Sequence, residues 1–64
     1  MEQQLLEYLG SKLDERRKAL IEALGTGVVP DYAEYKYLCG QVRGLLIAQD
    51  ELDALLRKLK EDDE

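Results

Sequence analysis

The fold is decided by residues 35–59, YKYLCGQVRGLLIAQDELDALLRKL. Apolar residues recur in this stretch at alternating steps of three and four, which is the spacing of one face of an α-helix. Polar Gln49 occupies one place in this apolar seam. We therefore predict a long helix from Tyr32 to about Lys60 whose seam needs a covering partner. The apolar members of the seam are Tyr35, Leu38, Val42, Leu45, Leu52, Leu56 and Leu59.

The first half of the chain predicts a second helix, from Glu2 to about Leu24, with a shorter seam. Arg16 interrupts this seam, so we expect Arg16 to pair across the helices with an acid or with the amide of Gln49. The leucines near the C-terminus extend beyond this shorter seam and are predicted to lack a partner within the chain. The predicted seam of the first helix is Leu6, Leu9, Leu13, Leu20 and either Ala23 or Leu24.

The clearest boundary lies between the two helices. Gly25, in the sequence Gly-Thr-Gly, is placed for a left-handed cap at the end of the first helix. Pro30 is excluded from a helix interior, and Asp31 followed by Glu34 has the pattern of a capping box. Gly10 leaves two readings open, a kink in the first helix or a continuous helix that tolerates one glycine. We expect one hairpin domain over residues 1–60 and a solvated acidic tail over residues 61–64.

Composition limits how so small a chain becomes stable. With 64 residues, a single hydrophobic core gives only marginal stability. One cysteine, Cys39, and no histidine exclude an internal disulfide and make a thiolate or imidazole metal site implausible. Self-association is the remaining remedy, and we predict an all-α helical hairpin that assembles as an oligomeric, coiled-coil-like bundle.

Charge and hydropathy restrict the partners. The net charge of −5 disfavours nucleic acid, whose phosphates would be repelled. The sequence has neither a basic, apolar leader after MEQQ nor an apolar run long enough for a membrane span, so we expect a soluble protein of the cytosol. No cofactor and no catalytic residue are predicted, because the lone thiol of Cys39 has no histidine to activate it. We interpret the chain as a non-enzyme and Cys39 as a small buried apolar group.

A glycine pair marks a second feature of the long helix. Gly40 and Gly44 stand one turn apart, followed by Ile47, on the face opposite the seam. Two glycines inside a helix cost roughly 2 kcal/mol relative to alanine. They also leave a flat surface that another helix can approach closely. Simple tolerance of glycine is the alternative interpretation.

Tyrosines form the third feature. Three tyrosines within six residues cannot all face one core, so Tyr32 and Tyr37 are expected to be exposed. Exposed tyrosines are favoured at protein interfaces, and this is the preferred interpretation. The alternative is that they stack on a nucleobase while Lys36 and Arg43 hold phosphates.

The glycine pair and the tyrosines both lie within or next to residues 31–45, DYAEYKYLCGQVRGL. Together with KLDERRKAL of residues 12–20, this stretch resembles a group of small helical-hairpin proteins of tailed bacteriophages. That group is characterised by a D-Y-x-x-Y-x-x-L-x-G-x-V-x-G-L core and an acidic C-terminus. The resemblance implies a viral origin and genes that lie among those for virion assembly. It implies no catalytic residue.

Together these observations predict a phage structural or assembly accessory protein that acts through helix-mediated contacts with itself and with a larger phage or host protein. The alternative is a counter-defence protein that inhibits a host factor or sequesters a nucleotide messenger. The host cytoplasm, or the virion, is the expected location. The residues expected to mediate self-association are Leu38, Val42, Leu45, Leu52, Leu55, Leu56 and Leu59. The candidate partner surface comprises Tyr32, Lys36, Tyr37, Gly40, Arg43, Gly44 and Ile47.

Overall fold

The computed structural model describes residues 2–27 and 31–62, and these form two helices packed against each other as a hairpin. Helix α1 spans Glu2–Gly25 and helix α2 spans Tyr32–Asp62. The pair measures 50 × 15 × 13 Å. The predicted all-helical hairpin is confirmed. Helix α2 continues two residues beyond the predicted end, into the acidic residues that were expected to fray.

Helix α1 ends at Gly25, one residue beyond the predicted end. The Thr26 amide donates a hydrogen bond to the Glu22 carbonyl at 3.0 Å, and the Thr26 hydroxyl donates to the Ala23 carbonyl at 3.1 Å. The residue with a left-handed conformation is Gly27, with φ of 73°, and not Gly25. The choice of Gly25 as the cap was therefore wrong, because Gly25 is the last helical residue and the left-handed residue follows two positions later. The predicted boundary at Pro30 lies outside the described residues.

Asp31 caps α2 as predicted. Its carboxylate Oδ1 accepts a hydrogen bond from the Glu34 amide at 2.8 Å, and its carbonyl accepts one from the Tyr35 amide at 3.0 Å. These bonds satisfy amides that have no partner within the first turn of a helix. The start of α2, and with it the direction of its seam, is thereby fixed.

The seam of α2 is confirmed from Leu38 to Leu59, but its first predicted member, Tyr35, is exposed. The seam of α1 is confirmed at Leu6, Leu13 and Leu20 and moves by one residue at two other positions. Leu9 and Arg16, predicted for the seam, are exposed, while the following residues, Gly10 and Arg17, turn toward α2. The true stripe also alternates steps of three and four, but three of its seven positions carry no apolar side chain. Its half-buried members are Gln3, Leu6, Gly10, Leu13, Arg17, Leu20 and Leu24.

Gly10 of α1 packs directly against Leu52 of α2. A Cβ atom placed there would lie 3.2 Å from Cδ2 of Leu52, so the glycine makes room for that leucine. Helix α1 is continuous through Gly10, and the kinked reading is not observed. Because Gly10 near the start of α1 meets Leu52 near the end of α2, the helices are antiparallel.

The predicted overhang of α2 is wrong. Leu52, one of the leucines expected to lack a partner, is the most completely covered side chain, with 8% of its surface exposed. Leu56 and Leu59 are half-buried. The register set by Gly10 and Leu52 brings the first turn of α1 to the level of Leu59. The two helices therefore cover each other over nearly their whole length.

The hairpin nevertheless has very little interior. Leu52 is the one core residue among those that the structure describes, and α1 contributes none. Two helices cover one stripe on each other and leave both sides of that stripe open to water, which explains why the remaining seam leucines are only half-buried. The apolar surface left open therefore lies along the sides of the hairpin and not at its end.

Candidate interaction surfaces

A polar layer crosses the seam in the middle of the hairpin. The guanidinium Nε of Arg17 donates a hydrogen bond of 2.8 Å to Oε1 of Gln49, and its terminal nitrogen lies 2.7 Å from Oδ1 of Asp14. The amide of Gln49 donates to the same Asp14 oxygen at 3.4 Å. The ammonium of Lys18 lies 2.9 Å from the other Asp14 oxygen. The layer joins α1 to α2 at one defined register.

This layer corrects the role given to Arg16. A cross-helix bond to the Gln49 amide was predicted, but Arg17 makes it and Arg16 is exposed. The Arg17 side chain is 24% exposed, so its charge is partly shielded from water and its bonds are held in place by packing. Sequence reasoning missed Arg17 because a charged residue gives no apolar signal, although its spacing places it in the half-buried stripe of α1.

The charges around Asp14 alter its titration. Hydrogen bonds from Lys18, then Arg17, then Gln49 hold the pKa of the Asp14 carboxyl below its ordinary value of 3.8. All three donors stabilise the ionised carboxylate. Asp14 is therefore a charged partner that ties the two helices together at neutral pH.

A shallow groove lies beside the Gly10–Leu52 contact. Its volume is about 200 Å³, and carboxylates stand on its rim. Small-molecule sites generally measure about 300–1,000 Å³ and enclose most of their ligand. The groove is therefore a seam between packed helices and a poor site for a substrate. Its lining residues are Glu7, Gly10, Gln49, Leu52, Asp53 and Leu56.

The outer face of α2 is open, as predicted. A Cβ atom placed at Gly40 or at Gly44 would meet nothing within 4 Å, and Ile47 is 54% exposed. These two glycines therefore have no packing reason within the hairpin. That is the opposite of Gly10, whose missing side chain is required by Leu52.

The predicted tyrosine cluster is also exposed but divides into two parts. Lys36 lies with its ammonium 6.0 Å from the centre of the Tyr32 ring, and the Tyr32 and Tyr35 rings are 6.4 Å apart. Tyr32, Lys36, Arg43 and Ile47 follow one stripe along α2, because their spacing keeps them on one side of the helix. Tyr37 is five residues beyond Tyr32 and therefore lies on a different side.

Cys39 lies beneath this cluster and is half-buried, not fully buried as expected. The neighbouring Cys39 side chain raises the pKa of the Tyr35 phenol. The Tyr35 phenol therefore stays neutral at physiological pH.

The leucines expected to mediate self-association have different environments. Leu52 is covered by α1, and Leu55 is 45% exposed. The other five, which belong to the seam, keep part of their surface available to a further layer. These five half-buried residues are Leu38, Val42, Leu45, Leu56 and Leu59.

The described residues contain neither a membrane-spanning helix nor a metal-binding group. In residues 2–27 and 31–62, neither helix is long and apolar enough to cross a membrane. The same residues contain no group of three or more histidine, cysteine, aspartate or glutamate side chains arranged to hold a metal ion.

Comparisons of the chain with known protein families, with curated proteins and with solved structures found no match. The interpretation of the two surfaces therefore depends on their geometry and chemistry.

Proposed function

We propose that this protein works by helix-mediated protein–protein contact and is not an enzyme. The observation that carries the proposal is the imbalance between exposed and buried apolar side chains. Ten large apolar residues are exposed in the described part of the chain, against one that is buried. So much exposed apolar surface, beside a single buried residue, supports association with a further chain. The shallow groove offers little to a substrate.

The exposed residues suggest two separate contact surfaces, one for further copies of the chain and one for a larger partner. The sides of the seam would take further copies of the chain, because the half-buried leucines lie there. The outer face of α2, with Tyr32, Lys36, Arg43 and Ile47, would contact a larger partner. Tyrosine and arginine provide large contact areas with hydrogen-bonding ends, as at the energetically dominant sites of other interfaces.

The most specific form of the proposal is an accessory protein in the assembly of a tailed-phage virion, present in the host cytoplasm or in the virion. The support for this assignment is the resemblance of residues 12–20 and 31–45 to phage helical-hairpin proteins. The exposed outer face of α2 gives such a protein a means of docking on a larger component.

A virion pull-down with two matched variants tests this form of the proposal. Ile47→Asp places a charge on the outer face of α2, and Tyr8→Asp places one on an exposed site of α1, where Tyr8 is 62% exposed. Purified virions or virion precursors should retain the wild type and Tyr8→Asp but lose Ile47→Asp. Equal retention of both variants, or no retention of the wild type, would contradict it.

One observation favours a second candidate function, the sequestration of a nucleotide messenger. Tyr32, Lys36 and Arg43 share a stripe, so that a ring and two cations are available to a base and its phosphates. Binding to the folded state raises the melting temperature. Cyclic nucleotides should then raise the melting temperature of the wild type and leave that of Tyr32→Ala unchanged. The absence of any shift with the wild type would eliminate this candidate.

A further inference from the structure

The two ends of the hairpin differ in charge. We call residues 14–49 the connected end, because they run from Asp14 of the polar layer through the start of α2 to Gln49 of the same layer. The connected end contains five acidic and five basic residues, whereas the rest of the chain, the open end, contains nine acidic and four basic residues. The whole net charge of −5 therefore belongs to the open end, and the connected end is neutral.

One side of the hairpin changes character between these two ends. The groove beside Gly10 places Glu7 and Asp53 on the same side. Helical positions seven apart are separated by nearly two full turns and lie on almost the same side of a helix. Ile21 lies two such intervals after Glu7, and Leu46 lies one interval before Asp53. This side is therefore acidic at the open end and apolar at the connected end.

The apolar residues of this side come from both helices at the same height. Gly10 is level with Leu52, and the helices are antiparallel. Eleven residues along from this contact in each helix, Ile21 of α1 is therefore level with residues 41–42 of α2. That height is between Cys39 and Leu46, which are themselves seven residues apart on this side.

These residues form one uncharged patch. Tyr35 extends it by one turn, because the Tyr35 phenol neighbours the Cys39 side chain. Ile21, Tyr35 and Leu46 are 45%, 46% and 43% exposed, and Cys39 is half-buried. We call these four residues the connected-end patch.

The other exposed leucines lie at the open end. Leu5 and Leu9 are near the start of α1, and Leu55 is near the end of α2. A second copy that covered these leucines would bring together two ends that each carry the full charge of −5. Like charges that meet across an interface oppose association. A second copy can cover the connected-end patch without that cost, because the connected end is neutral.

The accessible area of the chain indicates how much surface lacks a cover. The hairpin exposes 5147 Å², whereas a compact monomer of 7.3 kDa exposes about 4,200 Å². The excess of roughly 1,000 Å² is close to the roughly 800 Å² that each partner buries in a standard protein interface. One further hairpin of the same kind is therefore enough to cover it.

Charge also selects the symmetry of such a pair. A two-fold axis parallel to the helices lays α1 of each copy on α2 of the other, so that Glu7 of one copy meets Asp53 of the other twice. Four carboxylates then cluster. A two-fold axis perpendicular to the helices, at the height of Ile21, overlaps only the connected ends and points the open ends in opposite directions. Ile21 then meets Ile21 of the second copy, and Leu46 approaches Tyr35 of the second copy.

We propose that the connected-end patch binds a second copy of this chain, in an antiparallel arrangement that keeps the two acidic open ends apart. The inference rests on the self-association in the proposed function and names its surface and symmetry. Lys36 and Ile47, on the outer face of α2, stay outside this interface and available to a larger partner.

Two leucines of nearly equal exposure provide the first test. Leu46, in the patch, is 43% exposed, and Leu55, at the open end, is 45% exposed. We expect Leu46→Lys to raise the dissociation constant of the dimer at least about 100-fold, because a symmetric interface loses two apolar side chains. Leu55→Lys should leave the dimer mass unchanged in sedimentation equilibrium. Dissociation by Leu55→Lys alone, or equal masses for the two variants, would overturn the proposal.

The same comparison can be made on the other helix. Ile21, in the patch, is 45% exposed, and Leu9, at the open end of α1, is 47% exposed. Ile21→Lys should dissociate the dimer, because Ile21 lies on the two-fold axis and its charge meets the same charge of the second copy. Leu9→Lys should sediment as the wild type. The reverse order would move the interface to the open end and refute the patch.

Removal of two carboxylates tests the arrangement, and remains informative if the lysine variants fail to fold. The double variant Glu7→Gln, Asp53→Asn changes only the charge of two exposed side chains. In the antiparallel arrangement these residues lie far from the second copy, so the dissociation constant should change by less than about twofold at physiological salt. A dimer strengthened about tenfold or more would show that the open ends meet, and would overturn the proposed arrangement.

The wild type separates failure of this inference from failure of self-association. A folded wild-type monomer at high concentration would contradict both. A wild-type oligomer that resists Leu46→Lys and Ile21→Lys would contradict the connected-end patch alone and leave self-association standing.

Discussion

Gly10 and Gly40 both lie inside long helices, yet they have opposite surroundings. Leu52 fills the space that a side chain at Gly10 would need, whereas nothing lies near Gly40. The first glycine is explained by the packing of the hairpin and the second is not. A glycine that has no packing reason within the chain, on a face with exposed Ile47, is consistent with a surface kept flat for another molecule.

The largest effect on stability is expected at Leu52, which packs against Gly10. Leu52→Ala removes the one core side chain of the described residues and leaves a cavity against Gly10, at a cost of about 2–5 kcal/mol. Leu55→Ala is the matched control, and its exposed side chain should cost less than about 1 kcal/mol. Urea unfolding followed by circular dichroism, at one protein concentration, measures both. Similar losses for the two variants would show that Leu52 is not the core.

Replacing a glycine by leucine should give the next largest change in stability, with opposite signs at Gly10 and Gly40. Gly10→Leu forces the helices apart or displaces Leu52, and overpacking of this kind costs about 1–3 kcal/mol. Gly40→Leu meets open space and gains up to about 1 kcal/mol of helix propensity. The melting temperature should therefore fall for Gly10→Leu and rise for Gly40→Leu. A stable Gly10→Leu protein would contradict the observed register.

Adjacent arginines provide the third comparison. Arg17→Ala removes the bonds to Gln49 and Asp14 and should lower the free energy of unfolding by about 1 kcal/mol. Arg16→Ala changes an exposed side chain and should stay within about 0.5 kcal/mol of wild type. Chemical denaturation distinguishes them. The reverse order would restore Arg16 to the seam, as first predicted from the sequence.

The smallest effect is a dependence on pH. The folded-state pKa of Asp14 is lowered, so its contribution to stability is complete above the unfolded value and is lost as pH falls through the folded pKa. Between about pH 5 and pH 2, the wild type should lose stability more steeply than Asp14→Asn. Melting temperatures of both proteins across that range provide the measurement. Parallel curves would mean that the Lys18 and Arg17 bonds do not form in solution.

Sequence patterning predicted α2 better than α1 for a physical reason. The seam of α2 is made of apolar residues and a single glutamine, and Asp31 gives its start a strong cap, so both phase and boundary were readable. The true stripe of α1 includes Gly10 and Arg17, which have no apolar signal. Neighbouring Leu9 makes the wrong phase look equally apolar.

The surfaces were predictable only in part. The exposure of Tyr32, Gly40 and Ile47 followed from helical periodicity, because these residues lie opposite a recognisable seam. The polar layer depends on the register of the two helices, and its members are Arg17, Asp14 and Gln49. That register could not be deduced from the sequence, because it follows from the packing of Gly10 against Leu52.

The most direct test of the whole account is the mass of the wild-type protein by light scattering across a dilution series, with helicity followed in the same samples. The account predicts a multiple of the chain mass of 7.3 kDa at high concentration. It also predicts helicity that falls as dilution separates the copies, since one buried leucine is too small a core for the hairpin alone. A fully helical species of 7.3 kDa at every concentration would contradict it.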